Sequence, residues 1–211
     1  WARIVREEYG SLEEASQKFR FTCVAGCGSY FPAQLPELNL VRSTLGALGA
    51  ALGGTQAMLG TTIDEAYDIP TEYSQLLALR TQQILALESD VASTVDPLGG
   101  SYFVESMTDQ IEEMSQENIG DVYPNDGVIK GINSGSIQQQ IERRAYRLQC
   151  AIEDGTRPWV GVNVHTDNAQ DQSEIVKWEH DEELWRRRVE ALEGTRAQRD
   201  EGEVDRALER L

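Results

Sequence analysis

Apolar residues recur along this chain at intervals that predict different elements. Leu38, Val41, Leu45, Leu48 and Leu52 stand three or four apart, the spacing of one helix face, and Gly53-Gly54 marks its end. Tyr73, Leu77, Ile84 and Leu87 give a second stripe over about Thr71–Glu88, interrupted by Arg80 and Thr81. Phe103, Met107, Ile111 and Met114 mark a third helix. Ile137, Ile141, Ala145, Leu148 and Ile152 form the cleanest amphipathic pattern, closed by Gly155. Residues 1–19 predict helix broken at Gly10-Ser11, where Ser11-Leu-Glu-Glu14 reads as a capping box. Short runs at Arg20–Val24, Thr55–Leu59 and Trp159–Val164 predict strands. Turns and loops fall at Ala25-Gly-Cys-Gly-Ser-Tyr30, Gly60–Pro70, Asp96-Pro-Leu-Gly-Gly-Ser101 and Asn125-Asp-Gly127.

The order strand–helix–strand–helix over residues 20–88 is an α/β signature. Two strands do not make a stable parallel sheet alone, so further strands must come from elsewhere. The opening Trp1-Ala-Arg-Ile-Val-Arg6 has neither an initiator Met nor a signal-peptide pattern and reads as the interior of a helix. Both features predict a piece of a longer polypeptide. After Val164 the composition changes: residues 165–173 are polar, and 174–211 are dominated by Glu, Asp and Arg. Val189, Leu192, Leu208 and Leu211 give only a thin stripe there, predicting a solvated helical tail in need of a partner surface.

Composition narrows the function classes. With 211 residues and 40% apolar content, the chain reads as one large or two small globular domains. The longest weakly polar stretch, Leu45–Gly54, is far short of a membrane span of about 20 residues. Thirty-six acidic against nineteen basic residues give a net charge of −17, without the basic footprint of a nucleic-acid binder. Lysine occurs only at 18, 130 and 177. The acidity has two readings: solubility or a basic partner, and adaptation to high salt. The odd cysteine count, Cys23, Cys27 and Cys150, argues against a secreted disulfide framework and for the reducing cytoplasm.

Few constellations carry chemistry by themselves. Gly26-Cys-Gly28-Ser29 follows a strand and reads either as an anion-presenting turn or as a plain tight turn. It lacks the third glycine of a dinucleotide fingerprint. Cys23 and Cys27 lack the further ligands a metal site needs, and His165 and His180 are remote, so no metal site is expected. Glu65 either orients a ligand or begins a helix as a dipole-favourable acid. Asp181-Glu-Glu183 reads as a solvated face, and Trp159, Trp178 and Trp185 as packing or partner anchors. No P-loop or nucleophile elbow occurs.

Several blocks in order resemble one family. They are Trp1-Ala-Arg-Ile4, Asn39-Leu-Val-Arg42, Gly53-Gly-Thr-Gln56, Asp64-Glu-Ala66, Pro70-Thr71, Arg80-Thr-Gln-Gln-Ile84, Val95-Asp-Pro-Leu-Gly-Gly-Ser-Tyr102 and Val160-Gly-Val-Asn163. Together they resemble the large subunit of methylmalonyl-CoA mutase, an adenosylcobalamin-dependent acyl-CoA mutase, from Trp1 to about Asn163. The resemblance implies the C-terminal portion of a (β/α)8 TIM barrel followed by a mostly helical linker region. Residues 1–100 would be the barrel part, with Arg20–Ala25 and Thr55–Leu59 as its last strands. Residues 101–164 would be a helical post-barrel region and 165–211 an acidic helical tail. It implies an isomerase that rearranges the carbon skeleton of an acyl-CoA by a radical route, the cofactor carrying the hard chemistry. The partners implied are the acyl-CoA, the rest of the barrel and a cobalamin-binding domain or subunit, in an oligomer.

Carried over residue by residue, Gly28 matches a family glycine lying against the corrin ring. Glu65 matches a glutamate near the cobalamin, and Asp68 stands where a small residue lies near the same ring. Gln56 matches a substrate-facing glutamine. The departures are equally specific. Where the family has His-x-Gln-Thr-Ser-Gly, this chain has Cys23-Val-Ala25-Gly-Cys-Gly28, so Cys23 and Ala25 replace substrate-facing His and Gln. Where the family has Leu-His-Thr-Asn, this chain has Met58-Leu-Gly-Thr61. The cobalt-ligating Asp-x-His-x-x-Gly motif is absent from the chain. Lost pocket polarity points to a less polar acyl-CoA or, as the alternative, to a non-catalytic interaction or regulatory module derived from the barrel.

Overall fold

The computed structural model describes residues 1–25, 31–122, 127–167 and 179–210. It divides into two units, Trp1–Lys177 and Trp178–Leu211. The first opens with two short helices, α1 (Ala2–Glu7) and α2 (Glu14–Gln17), separated at Gly10, whose φ is +69°. The expected capping box does not form. Glu13 is the N-cap of α2 without a side-chain bond, and the Ser11 carbonyl instead accepts from Gln17 Nε2 at 3.1 Å.

Next come β1 (Thr22–Ala25), α3 (Leu38–Leu52), β2 (Ala57–Gly60) and α4 (Glu72–Glu88). The strands pair in parallel, Thr22 opposite Ala57 through Ala25 opposite Gly60. The α/β reading of residues 20–88 therefore holds as a small parallel sheet in a mostly helical chain. Both strands sit one or two residues later than their apolar runs. Thr55 and Gln56 are drawn out of β2 because their side chains bond locally: Thr55 Oγ1 donates to the Ala57 carbonyl at 2.7 Å, and Gln56 Nε2 to that of Gly54 at 2.9 Å.

Helices α3 and α4 form where expected, but their buried faces are not the predicted stripes. On α3 the buried residues are Asn39, Ser43 and Ala47, while Val41 and Leu45 are exposed. On α4 they are Ser74, Ala78, Thr81 and Leu85, while Tyr73, Ile84 and Leu87 are exposed. Small side chains bring each helix axis close to its neighbour. The buried hydroxyls are satisfied locally: Ser43 Oγ donates to the Thr61 carbonyl at 3.1 Å and Thr81 Oγ1 to that of Leu77 at 2.9 Å. Ala25, Ala47 and Leu85 make the core, with Leu48 and Met58 packed on it.

A 3-10 turn, Val91–Ser93, precedes α5 (Tyr102–Val122), α6 (Gly127–Asn133) and α7 (Ser136–Glu153). Gly155, at φ +79°, follows α7 as the sequence predicts. No residue of α5 or α7 is buried, and the amphipathic stripe of α7 is only partly covered, with Ile137 against Gly131 and Ile152 half-buried while Ile141 is exposed. Trp159–Val164 is not a strand. It is a turn closed by one bridge, Val160 to Val164, with Gly161 at φ +83°. Asn163 holds it, its Oδ1 accepting from Trp159 N at 2.6 Å and its Nδ2 donating to the Ile152 carbonyl at 2.7 Å. The second unit contains α8 (Glu182–Gln198) and α9 (Glu201–Leu208), capped by the carboxylates of Asp181 and Asp200, with no residue of either helix buried. Among the described residues no helix is long and apolar enough to cross a membrane.

Candidate functional site

The C-terminal ends of β1 and β2 are where the chain concentrates buried polar groups. Thr61, directly after β2, donates its hydroxyl to the Ala25 carbonyl at 2.6 Å and so ties the two strand ends together. Thr61, Thr62 and Asp64 are all buried. Asp64 Oδ2 accepts from Thr71 N at 3.0 Å and from Thr71 Oγ1 at 3.3 Å. Thr71 in turn caps α4 by accepting from Ser74 N. One carboxylate therefore fixes both the loop after β2 and the start of the next helix. Burial pushes the Asp64 carboxyl up, but the Ser74 and Thr62 hydroxyls and the Thr71 amide outweigh it and hold it below the usual carboxylate value. Thr62 Oγ1 and Asp64 Oδ1 are both buried and neither meets hydrogen-bond geometry, so the Ser74 hydroxyl and the Thr71 amide are the firmer causes of the lowering.

Asn39 is the second anchor of this end. It is fully buried and donates Nδ2 to the Pro32 carbonyl at 3.0 Å and to the Ile63 carbonyl at 3.4 Å. Its Oδ1 accepts from Arg42 Nη1 at 2.8 Å, and Arg42 Nη2 reaches the Val160 carbonyl at 2.8 Å. The blocks Asn39-Leu-Val-Arg42, Asp64-Glu-Ala66 and Val160-Gly-Val-Asn163, far apart in sequence, are thereby joined at one end of the sheet. Neither Asn39 nor Asp64 stands out as a site residue in the sequence. Their signals are membership of two of the blocks and a polar side chain where a helix stripe or strand end would otherwise be apolar.

On this scaffold Glu65 and Asp68 are both exposed, in the loop that Asp64 and Asn39 hold. Asp68 Oδ1 accepts from Ile69 N at 2.7 Å. Gly28 lies outside the described residues. Gln56 is not with them. It precedes β2, a strand of four residues that is about 13 Å long. At that opposite end its Oε1 accepts from Phe21 N at 2.9 Å. It also lines a groove of about 1090 Å³ shared with Met58, Gln82, Leu85, Asp96 and Thr108. This groove gathers three of the recognised sequence blocks, yet it lies away from the Glu65 loop.

Ala25 and Cys23 lie on one face of β1, since side chains alternate along a strand. Ala25 is buried against Ala47 and Leu85, so that face is the one covered by helices. The structure thus turns Ala25, and Cys23 with it, toward the helix layer. The residues displayed on the opposite, open face are Thr22 and Val24 of β1 and Ala57 and Leu59 of β2. Gly60 explains why α4 can sit so close. A Cβ there would meet Gln82 Nε2 at 3.0 Å, the Ala78 carbonyl oxygen at 3.1 Å and Ala78 Cβ at 3.2 Å.

As to ligands, an exposed carboxylate loop braced from below fits the edge of a bulky, amide-fringed group such as a corrin. Among the described residues no cluster of His, Cys, Asp and Glu could hold a metal ion.

Comparison with known proteins agrees with the sequence blocks and extends them. The methylmalonyl-CoA mutase family matches residues 1–211, past Asn163 and through the acidic tail. The 2-hydroxyisobutanoyl-CoA mutase large subunit of Aquincola tertiaricarbonis is 38% identical over the whole chain, which covers 37% of that protein. The methylmalonyl-CoA mutase of Escherichia coli is 36% identical over the whole chain, covering 29% of it. The mitochondrial enzyme of Mus musculus is 30% identical, with 28% of its length covered. The chain thus spans between 28% and 37% of the length of these relatives. The strand–helix repeat, the joined blocks and the match along the full length lead to one conclusion: this chain belongs to the methylmalonyl-CoA mutase family.

Proposed function

We propose that this chain is the C-terminal barrel segment and following region of an adenosylcobalamin-dependent acyl-CoA mutase, an isomerase of carbon skeletons. Residues 1–100 would complete a (β/α)8 barrel, 101–164 the helical post-barrel region and 165–211 an acidic helical tail. The observation that carries the reading is the full-length family match together with the placement of Glu65. That residue lies in the loop leaving the C-terminal end of a parallel strand, the side on which barrel enzymes keep their chemistry. The missing strands and the cobalt-ligating domain would come from the rest of the polypeptide or from partner subunits, in an oligomer.

In this reading Glu65 and Asp68 would hold the cofactor, with Gly28 as the glycine that the resemblance assigns to it. Asp64, Thr71 and Asn39 hold their loop in place. Gln56 fixes the opposite end of the strand pair through Phe21, at the side from which the acyl-CoA extends. Cys23 and Ala25 shape the wall from the helix side. When bound, adenosylcobalamin supplies the radical that begins the rearrangement. The protein's part is to position the reactants and exclude water. By their names, the Escherichia coli and Mus musculus relatives act on methylmalonyl-CoA and the Aquincola tertiaricarbonis subunit on 2-hydroxyisobutanoyl-CoA.

The test is cobalamin binding by the full-length parent protein with its cobalamin-domain partner, followed by absorbance titration. Binding is expected, and a Glu65→Ala variant should weaken it by about tenfold, the loss of one charge-assisted contact. A folded parent that binds no cobalamin would overturn the mutase reading and leave the non-catalytic module.

A further inference from the structure

The register of the strand pair singles out two residues, Val24 and Leu59, that have no site role above. Ala25, Met58 and Gly60 all turn toward α3 and α4, and Gly60 has no room for a side chain on that side. The pair therefore cannot slip by one residue without driving a side chain into α4. Side chains in a closed barrel alternate between the helix layer and the interior. The opposite face of this sheet, which displays Val24 and Leu59, is thus the interior one.

Val24 and Leu59 stand directly opposite each other in the register, 46% and 59% exposed. They lie one residue before the strand ends that Thr61 ties together and from which the Glu65 loop departs. Leu59 also stands where the family block Leu-His-Thr-Asn has its His. A polar, protonatable group is thus replaced by a branched hydrocarbon, and the facing position is hydrocarbon as well. A carboxylate pressed against this pair would lose water without gaining a donor. A methyl group would gain burial.

We infer that Val24 and Leu59 form an apolar wall that selects an acyl-CoA whose acyl group ends in hydrocarbon, against one bearing a second carboxylate. The inference rests on the mutase reading above.

The experiment measures dissociation constants of two esters, isobutanoyl-CoA and methylmalonyl-CoA, for the full-length protein with its cobalamin partner. They differ by a methyl against a carboxylate. Wild type is expected to favour isobutanoyl-CoA by about tenfold or more, and Leu59→Asn to shrink that preference by a similar factor. Leu59→Met, which keeps an apolar side chain of similar size, is expected to retain it. Should Leu59→Asn fail to give the wild-type circular dichroism spectrum, Leu59→Thr carries the same comparison. A preference unmoved by the polar substitution, or a wild-type preference for methylmalonyl-CoA, overturns the inference while leaving cobalamin binding, and so the mutase reading, intact. Failure to bind either ester or cobalamin overturns both.

Discussion

At the scale of single residues, two buried polar side chains organise the end of the sheet. Asn39 satisfies two carbonyls from separate loops and receives Arg42. Replacing it with Ala leaves those groups buried and unpaired, each worth about 1–3 kcal/mol. Asn39→Ala is therefore expected to destabilise the full-length protein by about 3 kcal/mol, read as a fall in the denaturant midpoint. Asp64 gives a pH signature. Its folded pKa lies below the ordinary value of 3.8, so its ionised form stabilises the fold. That contribution is complete above the unfolded value and is lost as pH falls through the folded one. Urea midpoints of wild type should fall over this acid range. In Asp64→Asn the midpoint should be lower at neutral pH, and its fall over the same range shallower. Neither residue is legible as structural in the sequence, because a polar residue on a helix or after a strand reads as surface. The neighbouring Glu65 and Asp68 are legible only through family blocks, since an exposed acid in a loop has no chemical mark of its own.

At the scale of elements, helix periodicity located α3, α4, α5 and α7 well, because three- and four-residue spacings and glycine stops are local signals. It did not locate their buried faces. Most large apolar residues of α4, Tyr73, Leu76, Leu79, Ile84 and Leu87, are exposed here, and its core contact is made by Ser74, Ala78, Thr81 and Leu85. Hydrophobicity reports that a face is covered, and the wrong face is read when small residues pack against the sheet and larger ones await another part of the protein. Two glycine substitutions test this packing. Gly60→Ala forces a Cβ against α4 backbone and is expected to lower stability by about 1–3 kcal/mol. Gly49, within exposed α3 surface, has nothing within 4 Å of an added Cβ. Gly49→Ala should raise stability by about 0.5–1 kcal/mol. Thermal unfolding of both variants should move in opposite directions. The strand expected at Trp159–Val164 failed for a local reason, because Asn163 and Gly161 supply a turn that β-branched composition alone hides.

At the scale of the whole molecule, charge dominates. Thirty-six acids face nineteen basic residues, and the described ion pairs, such as Lys18 with Glu14 at 2.7 Å and Arg199 with Glu201 at 2.6 Å, are exposed. Exposed pairs contribute little, so self-repulsion is relieved chiefly by screening. The thermal midpoint of the full-length protein is expected to rise between about 0.05 and 1 M salt, where the Debye length falls to about 3 Å. Identical far-ultraviolet dichroism and midpoint at both salts would remove the high-salt explanation of the acidity. The parallel register has a kinetic consequence. Thr22 meets Ala57 only after 35 further residues have been made, whereas α3 closes entirely from local contacts. So non-local a parallel pairing forms slowly compared with contacts that are local in the chain. During synthesis β1 therefore cannot meet β2 until that stretch has been made, so the delay before this pairing is set by translation speed across it.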